Sequence, residues 1–235
     1  MGEGLYERAR FRIAGDRGLL VEYGDAIDPA INRKVRAMAI ALGQQTPQGV
    51  VEIIPTYRSL LILYDPFLTN PPQLEEALLR LEERLSEIEI PPPKTVEIPV
   101  CYGGEFGPDL EFVAQSHGLS PEEVIRLHSE PVYQVYMIGF TPGFPFLGGL
   151  PKILHTPRRE TPRTRVPAGS VGIANDQTGI YPIESPGGWQ LIGRTPLKIF
   201  DPKRSNPFLL KAGDLLKFKP ISPDEYRRLA EGEET

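Results

Sequence analysis

From Gly139 to Gly188, 17 of 50 residues are glycine or proline, against 23 glycines and 26 prolines in the full 235 residues. In a polar chain such enrichment signals disorder. Here it is interleaved with Phe140, Phe144, Phe146, Leu147 and Tyr181 and followed at once by Trp189 and Leu191, which is enough apolar surface to bury. The glycines then mark positive-φ turns or close backbone approach, and the prolines mark fixed corners. The expectation is an ordered surface of short strands and shaped loops, where binding residues are commonly placed. The competing reading is a strand-poor lid that only closes a barrel.

Around this window the chain divides in two. Phe11–Ile13 and Leu19–Tyr23 read as strands of a hairpin turning at Gly15–Gly18. Asp28-Pro29 opens a helix whose face is Ile31, Val35, Met38 and Leu42, with Gly43 as its stop. Val50–Ile54 and Ser59–Tyr64 read as strands, and Asn70-Pro71 opens a second helix with Leu74, Leu78, Leu81, Leu85 and Ile88 on one face. The glutamates opposite them read as solvated surface. This order predicts an α+β sandwich of ferredoxin-like type over residues 1–90, with an extra strand at the start. Pro91-Pro92-Pro93 marks the boundary.

Residues 91–235 read differently. Thr95–Cys101 alternates like a strand, a helix is expected over Pro108–His117, and Ser120-Pro-Glu-Glu123 is a capping box opening another through His128. Strands are expected at Val132–Ile138, Gly172–Ala174, Thr178–Ile183, Trp189–Ile192, Leu197–Phe200 and Leu215–Phe218, with a helix capped by Ser222 at the end. Short strands at this density predict a barrel or sandwich.

Composition narrows the function classes. With Lys+Arg 26 against Asp+Glu 31 the net charge is −5, so no basic excess points to nucleic acid. No apolar run reaches the roughly 20 residues of a membrane span, and the N-terminus lacks a secretory h-region. Cys101 is the one cysteine, which fits a reducing cytoplasm. Three histidines and one cysteine, widely spaced, do not form a zinc site.

The candidate chemistry lies mostly in the glycine/proline window. Arg158, Arg159, Arg163 and Arg165 are held among prolines, and guanidinium forks suit carboxylate or phosphate. Ala168-Gly169-Ser170-Val-Gly172 comes near a serine-hydrolase elbow but has alanine where the first glycine belongs. Ser170 is therefore read as a turn residue or hydrogen-bond donor ahead of a nucleophile. His128 and His117 close predicted helices, where a dipole-stabilised histidine and a general base are both open readings. His155 lies beside the arginines and is the better candidate for a ligand contact. Gln177, Tyr181, Glu184, Trp189 and Arg194 mix polar anchors with aromatic platforms, as small-molecule pockets do. Neither a Walker-type nor a dinucleotide-binding glycine loop is present.

Several motifs carry a resemblance. Cys101-Tyr-Gly-Gly-Glu-Phe-Gly-Pro-Asp-Leu110, Tyr136-Met-Ile-Gly-Phe-Thr-Pro-Gly-Phe-Pro-Phe-Leu-Gly-Gly149, Pro162-Arg-Thr-Arg-Val-Pro-Ala-Gly-Ser-Val-Gly172 and Gln177-Thr-Gly-Ile-Tyr-Pro-Ile-Glu-Ser-Pro-Gly-Gly-Trp189 resemble the allophanate hydrolase subunit 1 family, also called the 5-oxoprolinase B-subunit or kinase A inhibitor family. Gly15-Asp-Arg17 and Pro55-Thr-Tyr-Arg-Ser-Leu60 add to it. The resemblance implies a ferredoxin-like domain followed by a cyclophilin-like β-barrel. It implies one component of an ATP-dependent 5-oxoprolinase, converting 5-oxo-L-proline to L-glutamate. Its partners would be a LamB/YcsF-like A subunit and a C subunit resembling allophanate hydrolase subunit 2 (KipA-like). Other members of the family imply a carboxyltransferase role served by biotin, or inhibition of a sporulation histidine kinase. Under the first reading Arg163, Arg165, Ser170 and the amides around Gly169 are the groups expected to meet carboxylate, phosphate and developing oxyanion.

Overall fold

A computed structural model describes residues 4–232. The chain forms two compact units that divide between Pro92 and Pro93.

In the first unit, β1 (Leu5–Ile13), β2 (Gly18–Gly24), β3 (Val50–Pro55) and β4 (Ser59–Tyr64) form an antiparallel sheet in the order β1-β2-β4-β3. Alternation along β2 and β4 turns Leu19, Val21, Tyr23, Leu60, Ile62 and Tyr64 to one side. There they meet Ile31, Val35, Met38 and Leu42 of α1 (Pro29–Gln44) and Leu74 and Leu78 of α2 (Pro71–Glu82). Both helices start where side-chain caps allow: Asp28 accepts from the amides of Ala30 and Ile31, and Asn70 from that of Gln73. Two expected helix ends shift. Gly43 continues α1 instead of stopping it, because its φ stays out of the left-handed region. The second helix stops at Glu82, and Leu85–Glu87 make a 3₁₀ turn that keeps Leu85 against the core.

The second unit is built on β5 (Thr95–Tyr102), α3 (Leu110–His117), α4 (Pro121–Ser129), β6 (Val132–Ile138), β7 (Pro145–Gly148), β8 (Arg163–Val166), β9 (Ser170–Ala174), β10 (Gln177–Ile180), β11 (Ser185–Gly187), β12 (Gln190–Arg194), β13 (Leu215–Pro220) and α5 (Pro223–Ala230). Seven strands close a barrel in the order β10-β7-β6-β13-β5-β12-β9, with β13 and β5 its parallel pair. β8 and β11 form a separate two-stranded ribbon. Ile98, Val100, Tyr133, Val171, Ile192 and Phe218 belong to the barrel's main core. Leu197–Phe200, expected as a strand, makes only an isolated bridge from Phe200 to Phe208. The Thr195 hydroxyl takes the Leu197 amide just where such a strand would begin.

A second apolar cluster unites Phe144, Val166, Ala174, Tyr181, Trp189 and Leu191. Its seat is made by two glycines that face each other across β9 and β10, Gly172 and Gly179. A Cβ on Gly179 would stand 3.0 Å from the Phe144 ring, and one on Gly172 3.1 Å from Trp189 Cβ. The bare stretch of wall lets aromatic side chains lie directly on the backbone.

Candidate functional site

The aromatic cluster is open on one side. A pocket of about 390 Å³ is lined by Phe140, Phe144, Phe146, Tyr181, Trp189 and Arg158, and edged by Pro162 and Pro186–Gly188. Phe144 is its hub, meeting Phe140, Tyr181 and Trp189 edge to face at centroid distances of 5.6, 5.3 and 5.4 Å. Gly187 gives Tyr181 its place: a Cβ there would fall 2.3 Å from the phenol oxygen. Burial raises the Tyr181 hydroxyl above its usual pKa, partly offset by a backbone hydrogen bond at Trp189 and the charges of Arg158 and Arg163.

Phe140 stands apart from its neighbours. Its φ is 63°, a region that bulky residues rarely adopt, and 67% of its surface is exposed. A tight loop holds it there: Thr141 N–H donates to Gly139 O (2.7 Å), Phe144 N–H to Thr141 O (3.1 Å) and Gly139 N–H to Phe144 O (3.1 Å). Strained backbone of this kind, held by its surroundings, gathers at ligand clamps and active sites.

The four arginines have separate fates. Asp109, 5% exposed, accepts from Arg163 Nη2 at 2.7 Å and Arg159 Nη1 at 3.2 Å through one oxygen, and from the Leu191 amide at 2.6 Å through the other. Arg163 and Arg159 thus tie their segment to the start of α3 and to β12. Arg165 makes a two-pronged pair with Glu184, at 3.0 and 2.9 Å, in full solvent. The hydrogen bonds of that pair hold the Arg165 pKa up and the Glu184 pKa down. Arg158 has no hydrogen bond or ion pair among the described residues, and it lines the pocket.

His128 lies fully buried in the barrel. Its Nδ1 is 2.8 Å from the Tyr102 hydroxyl and its Nε2 2.9 Å from Thr178 Oγ1, while its ring stacks on Phe218 at 4.5 Å. Thr178 donates onward to Gly172 O at 3.0 Å. That assigns the proton to Nε2 and makes Nδ1 the acceptor for Tyr102. Desolvation pulls the His128 pKa down to about 3, so the ring is neutral. Tyr133 closes the set by donating to His128 O at 2.7 Å.

Of the residues expected from sequence, Tyr181 and Trp189 come together at the pocket. Ser170 is fully buried on β9, its Oγ without a hydrogen-bond partner among the described residues. Gly169 (φ 81°) packs so that a Cβ would meet Thr195 O at 2.3 Å. The Gly169 amide donates to Tyr181 O and the Ser170 amide to Pro167 O, so both donors are occupied. His155 donates from Nε2 to Leu150 O at 3.1 Å, and His117 Nε2 pairs with Thr156 Oγ1 at 3.0 Å. Arg194 ends β12 and meets Tyr226 of α5, while half-buried Gln177 opens β10. Asp109 and Phe140 were not singled out from sequence. Asp109 bonds partners 50 or more positions away, and the strain at Phe140 leaves no trace in residue type. Among the described residues no group of three or more His, Cys, Asp or Glu could hold a metal ion, and no helix is long and apolar enough to cross a membrane.

Comparison with known proteins places this architecture. Residues 9–210 match the carboxyltransferase domain, subdomain C and D. The 5-oxoprolinase B subunit of Bacillus subtilis (strain 168) is 49% identical over 230 residues, 92% of this chain and 95% of that protein. The 5-oxoprolinase B subunit of Haemophilus influenzae is 50% identical over 191 residues, 80% of this chain and 88% of that protein. The crystal structure of TTHA0988 superposes with a TM-score of 0.78 at 42% identity, covering 88% of this chain, which spans 40% of that longer chain. The resemblance read from the motifs therefore holds, and the chain belongs to the carboxyltransferase-domain family of subdomains C and D that includes the 5-oxoprolinase B subunits.

Proposed function

We propose that this protein is the B subunit of an ATP-dependent 5-oxoprolinase, working with the A and C subunits to open 5-oxo-L-proline to L-glutamate in the cytoplasm. The observation that carries this is the near-full-length match, at about half identity, to two 5-oxoprolinase B subunits. The chain's 40% share of TTHA0988 agrees with a function that needs further polypeptide. The same reading takes the barrel as cyclophilin-like and the first unit as ferredoxin-like. In support of the latter, β1-β2-β4-β3 is the strand order of a βαββαβ sandwich whose last edge strand comes instead from the beginning of the chain.

The aromatic pocket is the part this chain contributes to substrate handling. Its walls exclude water from a bound ring, and its titratable lining groups are Tyr181 and Arg158. Among the described residues no carboxylate lines the pocket, so reacting groups would come from a partner. ATP does not fit here. Arg159 and Arg163 are committed to Asp109, Arg165 to Glu184, and the Gly169 and Ser170 amides to carbonyls. One guanidinium unpaired among the described residues does not make a triphosphate cradle, so nucleotide belongs with the other components of the complex.

ATP-dependent glutamate release from 5-oxoproline, with this chain and its candidate partners together and with each omitted, tests the reading. Turnover that disappears without this chain is the expected result. Full turnover in its absence, or none from an assembled complex, overturns it. The description of the matching family favours a second reading, a carboxyltransferase component served by biotin. Biotin-dependent carboxyl transfer to urea by the same complex would favour that one.

A further inference from the structure

Arg158 occupies a position built for a free cation. On one side Gln190 Nε2 donates to Pro157 O at 3.0 Å, and on the other the Arg159 amide donates to Gly188 O at 2.8 Å. The Arg159 side chain is tied to buried Asp109. The backbone around Arg158 is therefore pinned before and after it, while its guanidinium has no partner among the described residues and lines a pocket whose other walls are Phe140, Phe144, Phe146, Tyr181 and Trp189. Arginines at positions 159, 163 and 165 all carry a carboxylate partner. A pinned, uncompensated cation at the edge of an apolar aromatic seat matches a ligand that is anionic at one end and flat and apolar at the other.

We propose that Arg158 anchors the carboxylate of a small ring-bearing acid whose ring lies in the aromatic pocket against Phe140, Phe146 and Trp189. The choice of 5-oxoproline as that acid rests on the function proposed above; the anchoring of a ring-bearing carboxylate does not. Three arginines are withheld by acidic partners, so the anion is recognised by one guanidinium. Uncharged lactams then bind as rings without an anchor.

Trp189 is the chain's one tryptophan and lies in the pocket wall, so its emission reports occupancy. The full-length protein is titrated with two matched pairs, 5-oxoproline against 2-pyrrolidinone and benzoate against benzamide. A charge-assisted hydrogen bond corresponds to about a tenfold to hundredfold preference, so in at least one pair the carboxylate is expected to saturate the emission change at least about tenfold below its neutral counterpart. Arg158→Gln removes that preference, Arg158→Lys restores part of it, and the exposed control Lys217→Gln leaves it intact. Equal responses from charged and neutral members of both pairs, an unaltered preference in Arg158→Gln, or no saturable response to any probe overturns the anchor. In the assembled complex, Arg158→Gln raises KM for 5-oxoproline with kcat little changed; an unchanged KM also overturns it. The two readings fail separately. Carboxylate preference without 5-oxoproline turnover removes the proposed function and keeps the anchor, whereas turnover with an unchanged KM in Arg158→Gln does the reverse.

Discussion

Two places in the barrel unit combine aromatic rings with polar groups, and they are organised in opposite ways. Around His128 every bond is answered: Tyr102 and Thr178 on its two nitrogens, Tyr133 on its carbonyl, Phe218 against its face. Around Trp189 the rings of Phe144 and Tyr181 are packed, but a pocket stays open beside them, Phe140 is held strained and exposed, and Arg158 has no partner among the described residues. Closure turns a reactive residue type into structure, because a buried polar group with its bonds satisfied costs little, and one deprived of them costs a great deal. Chemistry available to a ligand is found where closure was not completed.

The largest test of that contrast is Asp109→Ala. It strands Arg159 and Arg163 and frees the Leu191 amide, and loss of about 3 kcal/mol is expected in urea unfolding. Full retained stability would mean the arginine segment is held otherwise. His128→Leu comes next, leaving Tyr102 and Thr178 without their partner, for about 2 kcal/mol. It also carries a pH signature. The folded-state pKa near 3 lies below the usual 6.5, so the unfolded chain binds the extra proton between them. His128's contribution is then complete above pH 6.5 and declines as pH falls toward 3, at up to about 1.4 kcal/mol per pH unit. Unfolding measured from pH 7 to 4 should slope less for His128→Leu than for the wild type; equal slopes would show that water reaches the barrel interior.

Phe140→Gly is expected to act the other way, gaining up to about 1 kcal/mol as the left-handed strain is relieved, while weakening the Trp189 emission response to benzoate. Loss of stability instead would show that the ring's contacts outweigh its strain. The smallest effect belongs to Arg165→Ala. Its pair with Glu184 is in full solvent, and no shift of the unfolding midpoint is expected at about 150 mM salt.

Legibility followed the range of the interactions. Asp28, Asn70, Ser120 and Ser222 cap helices as their sequence neighbours imply, because a cap bonds an amide two or three residues on. Val132–Ile138 and Ser59–Tyr64 are strands over the spans their apolar patterns predict. β7, β8 and β11 were not legible, being three or four residues long and rich in glycine, proline or arginine. They exist because distant strands accept their backbone bonds. The candidate site divides the same way. That residues 136–196 form a shaped surface with Tyr181 and Trp189 in it could be read directly. Which arginine lacks a partner among the described residues could not, since Arg163 meets a partner 54 positions away and Arg165 one 19 positions away.

The sequence by itself determined the helix boundaries set by caps, the apolar faces that make two cores, and the family, through motifs long enough to be specific. Tertiary structure alone decided that His128 is sealed and neutral, that Asp109 takes two of the four arginines, and that Arg158 lines the pocket with no partner among the described residues. Caps and periodicity act within a few residues of the chain, whereas burial and charge pairing depend on which distant segment arrives beside a residue, and only the closed barrel settles that.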